Sequence, residues 1–188
     1  PGRGGETMPR LGVTAQVLAG SEIYPALERG AIDATEWVGP HDDLKSGFHQ
    51  VAKNYYYPGW WEPGVTMSLL TNQAAYDELP AAYQAILRTA CGETISSTLA
   101  SYDAANPAAL NVLTSEHGVI VREYPNEIME AAWTESMDFL EEQAAGDAVT
   151  NEVYQSWKAF RDMSFPYAAG NELSYAQFAF PRVGNPIG

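Results

Sequence analysis

The sequence is poor in basic residues, in cysteine and in long apolar runs, and each shortage argues against one kind of surface, bond or segment. Lys and Arg number 10 against 24 Asp and Glu, for a formal net charge of −14, so a nucleic-acid-binding surface, which needs clustered cations, is disfavoured. The single cysteine, Cys91, cannot form a disulfide within the chain and leaves the redox compartment open. No apolar stretch approaches the roughly 20 residues that span a bilayer. With 188 residues, 46% of them hydrophobic, the chain can still bury a sizeable core.

The first forty residues alternate between strand-like and helix-like patterns. Residues 13–17 and 32–38 have the β-branched, alternating composition of strands. Between them, Ser21 is a candidate N-cap and Gly30 a candidate stop, which predicts a short helix over residues 22–29. Strand, helix and strand joined by short connections are typical of an α/β protein.

The rest of the chain is predicted to be mostly helical. Apolar residues recur at helical spacing from residue 72 to residue 113, and Pro107 predicts a break because proline lacks a backbone donor. Further helices are predicted over residues 41–51, 126–143, 148–167 and 173–180. Further strands are predicted over residues 53–57, 65–70 and 119–121.

Two short segments carry the candidate chemistry. Residues 30–40 read GAIDATEWVGP, and residues 58–64 read PGWWEPG. In each, a glutamate stands beside indole rings where glycine and proline turn the backbone. A single Glu36 or Glu62 would ordinarily be a solvated surface residue, and most Trp rings simply pack in the core. The two segments together favour a binding site for a small organic ligand.

The two segments resemble the signature of the periplasmic solute-binding proteins of tripartite ATP-independent (TRAP) transporters, the DctP-type family. The resemblance is to the branch that binds 2-oxo and 2-hydroxy monocarboxylates together with a metal ion. It implies an α/β, two-lobed, type II periplasmic-binding-protein fold of which this chain is the C-terminal part, with long C-terminal helices. It also implies transport rather than catalysis, a periplasmic location, and transporter membrane subunits as partners, with a homodimer through the C-terminal helices in some members.

The resemblance assigns roles to five residues. It implies that the side chains of Glu36 and Glu62 and the backbone carbonyl of Trp37 ligate the metal, and that Trp60 and Trp61 close over the ligand. Ligation by oxygen alone suits a hard cation, either Na⁺ or Ca²⁺, rather than zinc. The sequence does not choose between the two ions, or between pyruvate, longer 2-oxo acids and lactate.

Other ligands of the family fall outside the residues that match. The family's carboxylate-binding Arg precedes the Pro-Gly at which this chain opens, and its metal-ligating Gln lies further upstream; the role of the Arg does not transfer to Arg3. The chain is therefore expected to hold about half of the site. The resemblance places residues 1–35 in the second lobe, 36–70 in the first lobe, and 71–188 mainly in the second.

A metal-dependent hydrolase is the alternative from another class of function. Its ligands would be Glu36, His41, Asp42 and Glu62. His41 and His49 lie eight positions apart, however, which is two turns of a helix, and no hydrolase or nucleotide-binding motif is present. A charged helix start is the simpler interpretation of residues 41–43. A structural domain without a ligand is the third hypothesis.

Overall fold

The structure is a computed structural model that describes residues 2–62, 64 and 67–184. The chain divides into two compact units. The first unit comprises Pro1–Val17, Tyr56–Trp61 and Val121–Gly188, and the second comprises Leu18–Tyr55 and Glu62–Ile120. Among the described residues, no helix combines the length and the apolar composition that crossing a membrane requires.

The first unit is built on a pair of long helices. It contains α1 (Gly2–Thr7), α6 (Asn126–Gly146), α7 (Ala148–Ala168) and α8 (Ser174–Ala179). Helix α6 packs against α7 and also against α1, and Ala132, Ala144 and Tyr154 are buried there. Arg10, in a 3₁₀ turn after α1, forms an ion pair with Glu142 of α6, with 2.5 Å between Nη2 and Oε2.

The second unit is built on one helix of 35 residues. It contains α2 (Gly20–Glu28), α3 (Pro40–Ser46), α4 (Gln73–Asp77) and the long α5 (Ala81–Ser115). Helix α3 packs against α5. The buried apolar residues of this unit are Ile23, Ala26, Phe48, Ala109, Leu113 and Val119.

Two short strands, β1 (Asn54–Tyr57) and β2 (Ile120–Glu123), pair in a two-stranded sheet. The Ile120 N–H donates to the Lys53 carbonyl and the Tyr124 N–H to the Tyr57 carbonyl, both at 2.8 Å. The offset along the sequence is the same for both bonds, so the strands are parallel.

Most predicted helices are confirmed, with changes at their ends. Helix α2 begins one residue before the predicted cap, because Ala19 rather than Ser21 is its N-cap. Helix α3 ends early since Gly47 adopts φ of 75°, and a 3₁₀ turn, Phe48–Gln50, follows it. The single helix predicted over residues 72–113 is two helices, α4 and α5, and the predicted break at Pro107 is wrong, because α5 continues through it. The last two predicted helices join through a π-helical segment, Ala169–Leu173.

The strand predictions are confirmed only where a partner strand exists. Residues 53–57 and 119–121 correspond to β1 and β2, whereas residues 13–17 and 32–38 form no strand. Of the strand predicted over 65–70, Val65 and Thr66 lie outside the described residues, and 67–70 form no regular element. An alternating pattern predicts extended backbone, but a ladder also needs a hydrogen-bonding neighbour. The boundaries of the two lobes stay a prediction.

Candidate functional site

Glu36 and Trp37 lie in the turn that leads into α3, in the second unit. The Glu36 side chain is exposed, and the Thr35 hydroxyl donates to the Glu36 carbonyl at 3.0 Å. Trp37 is 43% exposed, and its ring meets Phe48 edge to face, with 6.3 Å between ring centroids. The indole is thus held on its inner side, beside the exposed side chain of Glu36.

The other side of the turn is fixed by α3. The Asp43 N–H donates to the Gly39 carbonyl at 2.9 Å, and the His41 N–H donates to Oδ1 of Asn106 on α5 at 3.1 Å. Asp43 is a buried carboxylate that accepts a hydrogen bond from the Tyr55 hydroxyl at 2.6 Å. The turn therefore rests on a helix that is bonded to both α5 and β1.

Trp60 and Trp61 lie in the first unit, in the turn after β1. Their rings meet edge to face at 5.4 Å, and Trp61 also meets Tyr124 at 6.4 Å. Both rings are half-buried. They line a pocket of about 170 Å³ whose other walls are Gly4, Thr7, Ser136, Phe139 and Leu140. The structure thus brings the two predicted tryptophans together over a mainly apolar pocket.

Glu62 follows the two tryptophans and belongs to the second unit. Its side chain is exposed, whereas the next residue of the motif, Pro63, lies outside the described residues. Within the described part of the chain, no three His, Cys, Asp or Glu side chains are clustered so that they could hold a metal ion. A cation at Glu36 and Glu62 would therefore need further oxygens from backbone, ligand or solvent.

Two of the four residues of the hydrolase alternative, His41 and Asp42, lie in the first turn of α3. Lys45 donates through Nζ to Nε2 of His41 at 2.8 Å, and the His41 ring meets Tyr102 edge to face at 6.0 Å. Interaction with the Asp42 carboxylate is the main reason that the pKa of the Tyr102 hydroxyl is raised. His41 thus contacts α5 through Tyr102, and residues 41–43 form the start of α3, as the helix-start interpretation predicts.

Three contributors to the site were missed by sequence reasoning. Sequence reasoning treats Asp43 as negative charge at a helix start, and it gives no site role to Tyr55, the first of three consecutive tyrosines, or to Gly20. The Tyr55 alternation on its strand was a signal that one face looks inward. No sequence pattern linked Tyr55 to Asp43 or Gly20 to Trp37, because both contacts are tertiary.

Comparisons with known proteins identify the family to which the chain is similar. The profile of the DctP family, described as bacterial extracellular solute-binding protein, family 7, matches residues 3–147. The chain is 52% identical over 179 residues to the monocarboxylate 2-oxoacid-binding periplasmic protein of Nostoc sp., a match that covers 95% of this chain and 49% of the relative.

Two solved structures are similar to the chain along nearly its whole length. A TRAP transporter solute-binding protein from Bordetella bronchiseptica, a mixed-occupancy dimer with copurified calcium and picolinate in its active site, gives a TM-score of 0.92 at 39% identity, covering 96% of this chain and 53% of that one. A TRAP periplasmic solute-binding protein from Pseudoalteromonas atlantica with bound sodium and pyruvate gives 0.87 at 35% identity, covering 94% and 54%. The chain thus spans about half the length of the relatives that it matches.

The fold and these similarities define the class of protein as a TRAP-type solute-binding protein rather than an enzyme. Within that class, the chain belongs to the DctP family of bacterial extracellular solute-binding proteins. The predicted α/β, two-lobed periplasmic-binding-protein fold is confirmed by the two structural similarities. The hydrolase alternative is wrong, because the family binds solutes and does not catalyse a reaction.

Proposed function

We propose that this chain forms part of a periplasmic receptor that captures a small monocarboxylate, a 2-oxo acid or a lactate-like acid, and delivers it to TRAP transporter membrane subunits. The observation that carries the proposal is the pair of motifs around Glu36 and Glu62, both with exposed carboxylates, in a chain 52% identical to a monocarboxylate 2-oxoacid-binding protein. The membrane partners and the periplasmic location follow from the role of the family.

Oxygen chemistry supports a bound hard cation. Glu36 and Glu62 supply carboxylate oxygens, and the backbone carbonyl of Trp37 supplies a neutral one, a donor set that suits Na⁺ or Ca²⁺. Similar proteins bind calcium with picolinate and sodium with pyruvate. The residues present fit such an ion, and Glu36, Trp37 and Glu62 would hold it.

The cation explains how an acidic site can accept an anion. Two uncompensated carboxylates would repel a monocarboxylate, whereas a cation held by them attracts it. A 2-oxo acid offers one carboxylate oxygen and one keto oxygen, which can chelate the ion in a five-membered ring. Trp60 and Trp61 supply apolar surface that excludes water and strengthens the interaction. Ion and ligand should therefore bind with positive linkage.

The C-terminal helices support a homodimer. One face of α7 carries large apolar side chains that are exposed: Val149, Val153, Trp157, Phe160 and Met163. Their spacing places them on a single stripe, and a stripe of this kind favours burial against a second copy. The similar Bordetella protein forms a dimer, so a second copy of this chain is the partner that we propose.

Replacing Glu62 by Gln tests the proposed metal site. The variant should weaken cation-dependent pyruvate binding at least tenfold, because an amide oxygen has no formal charge with which to hold the ion. The measurement is calorimetric titration of pyruvate with and without Ca²⁺. It uses the full-length natural gene product, with any segments that flank these 188 residues included.

The matched control is Glu78→Gln, which removes one charge from an exposed glutamate outside both motifs. It should bind pyruvate as the natural protein does. Equal affinities for Glu62→Gln and Glu78→Gln would contradict the ligand role of Glu62. A folded natural protein that binds neither pyruvate nor lactate in the presence of Ca²⁺ or Na⁺ would overturn the proposed function itself.

A further inference from the structure

A buried carboxylate lies directly behind the turn that carries Glu36 and Trp37. Asp43 is only 9% exposed, and it is not among the proposed ligands of the cation. Its Oδ2 accepts a hydrogen bond from the Tyr55 hydroxyl at 2.6 Å. Burial raises the pKa of Asp43, and this bond with Tyr55 opposes the rise. Burying a carboxylate away from water is unfavourable unless neighbouring groups compensate for the lost hydration.

Backbone N–H groups of the turn supply the rest of the compensation. The N–H groups of Val38 and Gly39 interact with the Asp43 carboxylate and also oppose the rise in its pKa. Oδ1 of Asp43 has no hydrogen bond of full geometry in the described part of the chain, so these N–H contacts are long or bent. They act chiefly as attraction between a carboxylate and two peptide dipoles. Asp43 thereby draws the turn toward α3.

Peptide geometry transmits this attraction to Trp37. The Val38 N–H and the Trp37 carbonyl belong to one planar peptide unit, and in a trans unit they point in opposite directions. When Asp43 attracts the Val38 N–H, the Trp37 carbonyl is directed away from α3. The Glu36 carbonyl already accepts a hydrogen bond from the Thr35 hydroxyl. The carbonyl of Trp37 is therefore the one that this arrangement orients.

The geometry points to Asp43 and Tyr55 as positioning residues for the cation site: Tyr55 fixes the Asp43 carboxylate, and the carboxylate aims the Trp37 carbonyl at the ion. This inference rests on the proposed function, because it concerns the same site. It adds two residues that touch neither ion nor ligand. Groups that orient metal ligands from behind typically change metal affinity 10–100-fold when they are removed.

The strand β1 offers a matched pair of variants for the test. Tyr55→Phe removes the hydroxyl that holds Asp43, whereas Tyr56→Phe removes one from the adjacent, exposed tyrosine, whose side chain points to the other face of the strand. We expect Tyr55→Phe to weaken Ca²⁺-dependent pyruvate binding about tenfold or more. Tyr56→Phe should leave it unchanged. Calorimetry on the full-length protein, at a temperature where both variants are folded, measures the difference.

A spectroscopic measurement separates positioning from a purely structural role. With Tb³⁺ in place of Ca²⁺, luminescence decay in H₂O and D₂O counts the water molecules on the ion. Loss of the Trp37 carbonyl from the ion should add water to its coordination shell in Tyr55→Phe and not in Tyr56→Phe. A structural role would lower the melting temperature of both the apo and the bound protein without changing this count.

A second variant keeps the inference testable if Tyr55→Phe does not fold. Asp43→Asn keeps the side-chain volume but removes the charge and replaces one acceptor oxygen by an NH₂ group, which can only donate. It should weaken binding and add water to the ion as well. If both variants bind as the natural protein does while Glu62→Gln does not, the positioning role is wrong and the proposed function stands. Absence of cation-dependent binding in the natural protein overturns both.

Discussion

Trp37 depends on a glycine for the position of its indole ring. A Cβ atom at Gly20 would lie 2.9 Å from Cη2 of Trp37, closer than carbon atoms approach in a folded protein. The Trp37 ring fills this space and packs edge to face against Phe48. A residue at the start of α2 thus decides where a proposed site residue lies, although seventeen positions separate the two in the sequence.

At this residue scale, the methyl group added in Gly20→Ala should displace the Trp37 ring from its present position. We expect a changed near-ultraviolet circular dichroism spectrum and a loss of about 1 kcal/mol in the free energy of unfolding, as overpacking usually costs. The control is Gly92→Ala on α5, where an added Cβ meets nothing within 4 Å. That variant should be stabilised by about 0.5–1 kcal/mol, because glycine is unfavourable inside a helix. An unchanged spectrum in Gly20→Ala would contradict the contact.

Among the elements, α7 begins at an aspartate that caps it. Oδ2 of Asp147 accepts the Thr150 N–H at 2.7 Å, and this backbone bond is the main reason that the pKa of Asp147 is lowered. Because the pKa of Asp147 is lower in the folded state, its carboxylate stabilises the folded protein at pH values above the ordinary pKa of 3.8. The contribution is lost as the pH falls through the lower, folded-state value.

At this element scale, Asp147→Ala should lower the melting temperature at pH 7 and should have less effect at acidic pH, below the lowered pKa of the natural side chain. Asp147→Asn is the control, because asparagine caps helices about as well as aspartate. Thermal unfolding followed by circular dichroism across this pH range measures both. Equal melting temperatures for the alanine and asparagine variants at pH 7 would show that the cap contributes nothing.

At the scale of the whole molecule, the exposed apolar stripe of α7 is the surface most in need of a partner. An exposed row that contains Trp157 and Phe160 is unfavourable in water and favours association. Tyr154 is buried against α6, with its hydroxyl donating to Glu141 of α6 at 3.1 Å. One face of α7 therefore serves the first unit, and the exposed stripe is available to the proposed second copy.

At this molecular scale, Phe160→Glu should convert the proposed dimer into a monomer, because a charge buried in an apolar interface is strongly unfavourable. Gln155→Glu adds the same charge to α7 at an exposed position away from the stripe, and should stay dimeric. Sedimentation velocity at micromolar concentration distinguishes the two forms. A natural protein that sediments as a monomer would contradict the homodimer.

Local signals in the sequence predicted much of the helical structure. Apolar periodicity located α5, and Gly30 marked a stop that the structure confirms, since it adopts φ of 66° after α2. Such features depend on residues a few positions apart, which is the range over which periodicity and turn chemistry act. The Pro107 break failed because packing of α3 against α5 outweighs the local cost of a proline.

By itself, the sequence determined the family of this protein, since the motifs around Glu36 and Glu62 are contiguous and can be read without a structure. Only the tertiary structure decided which residues stand behind those motifs. The pairing of Asp43 with Tyr55, the seat of Trp37 on Gly20 and the absence of a strand over residues 32–38 all depend on which distant segments become neighbours. Hydrogen bonds and packing contacts of this kind form between residues far apart in the chain, and a local pattern does not specify their partners.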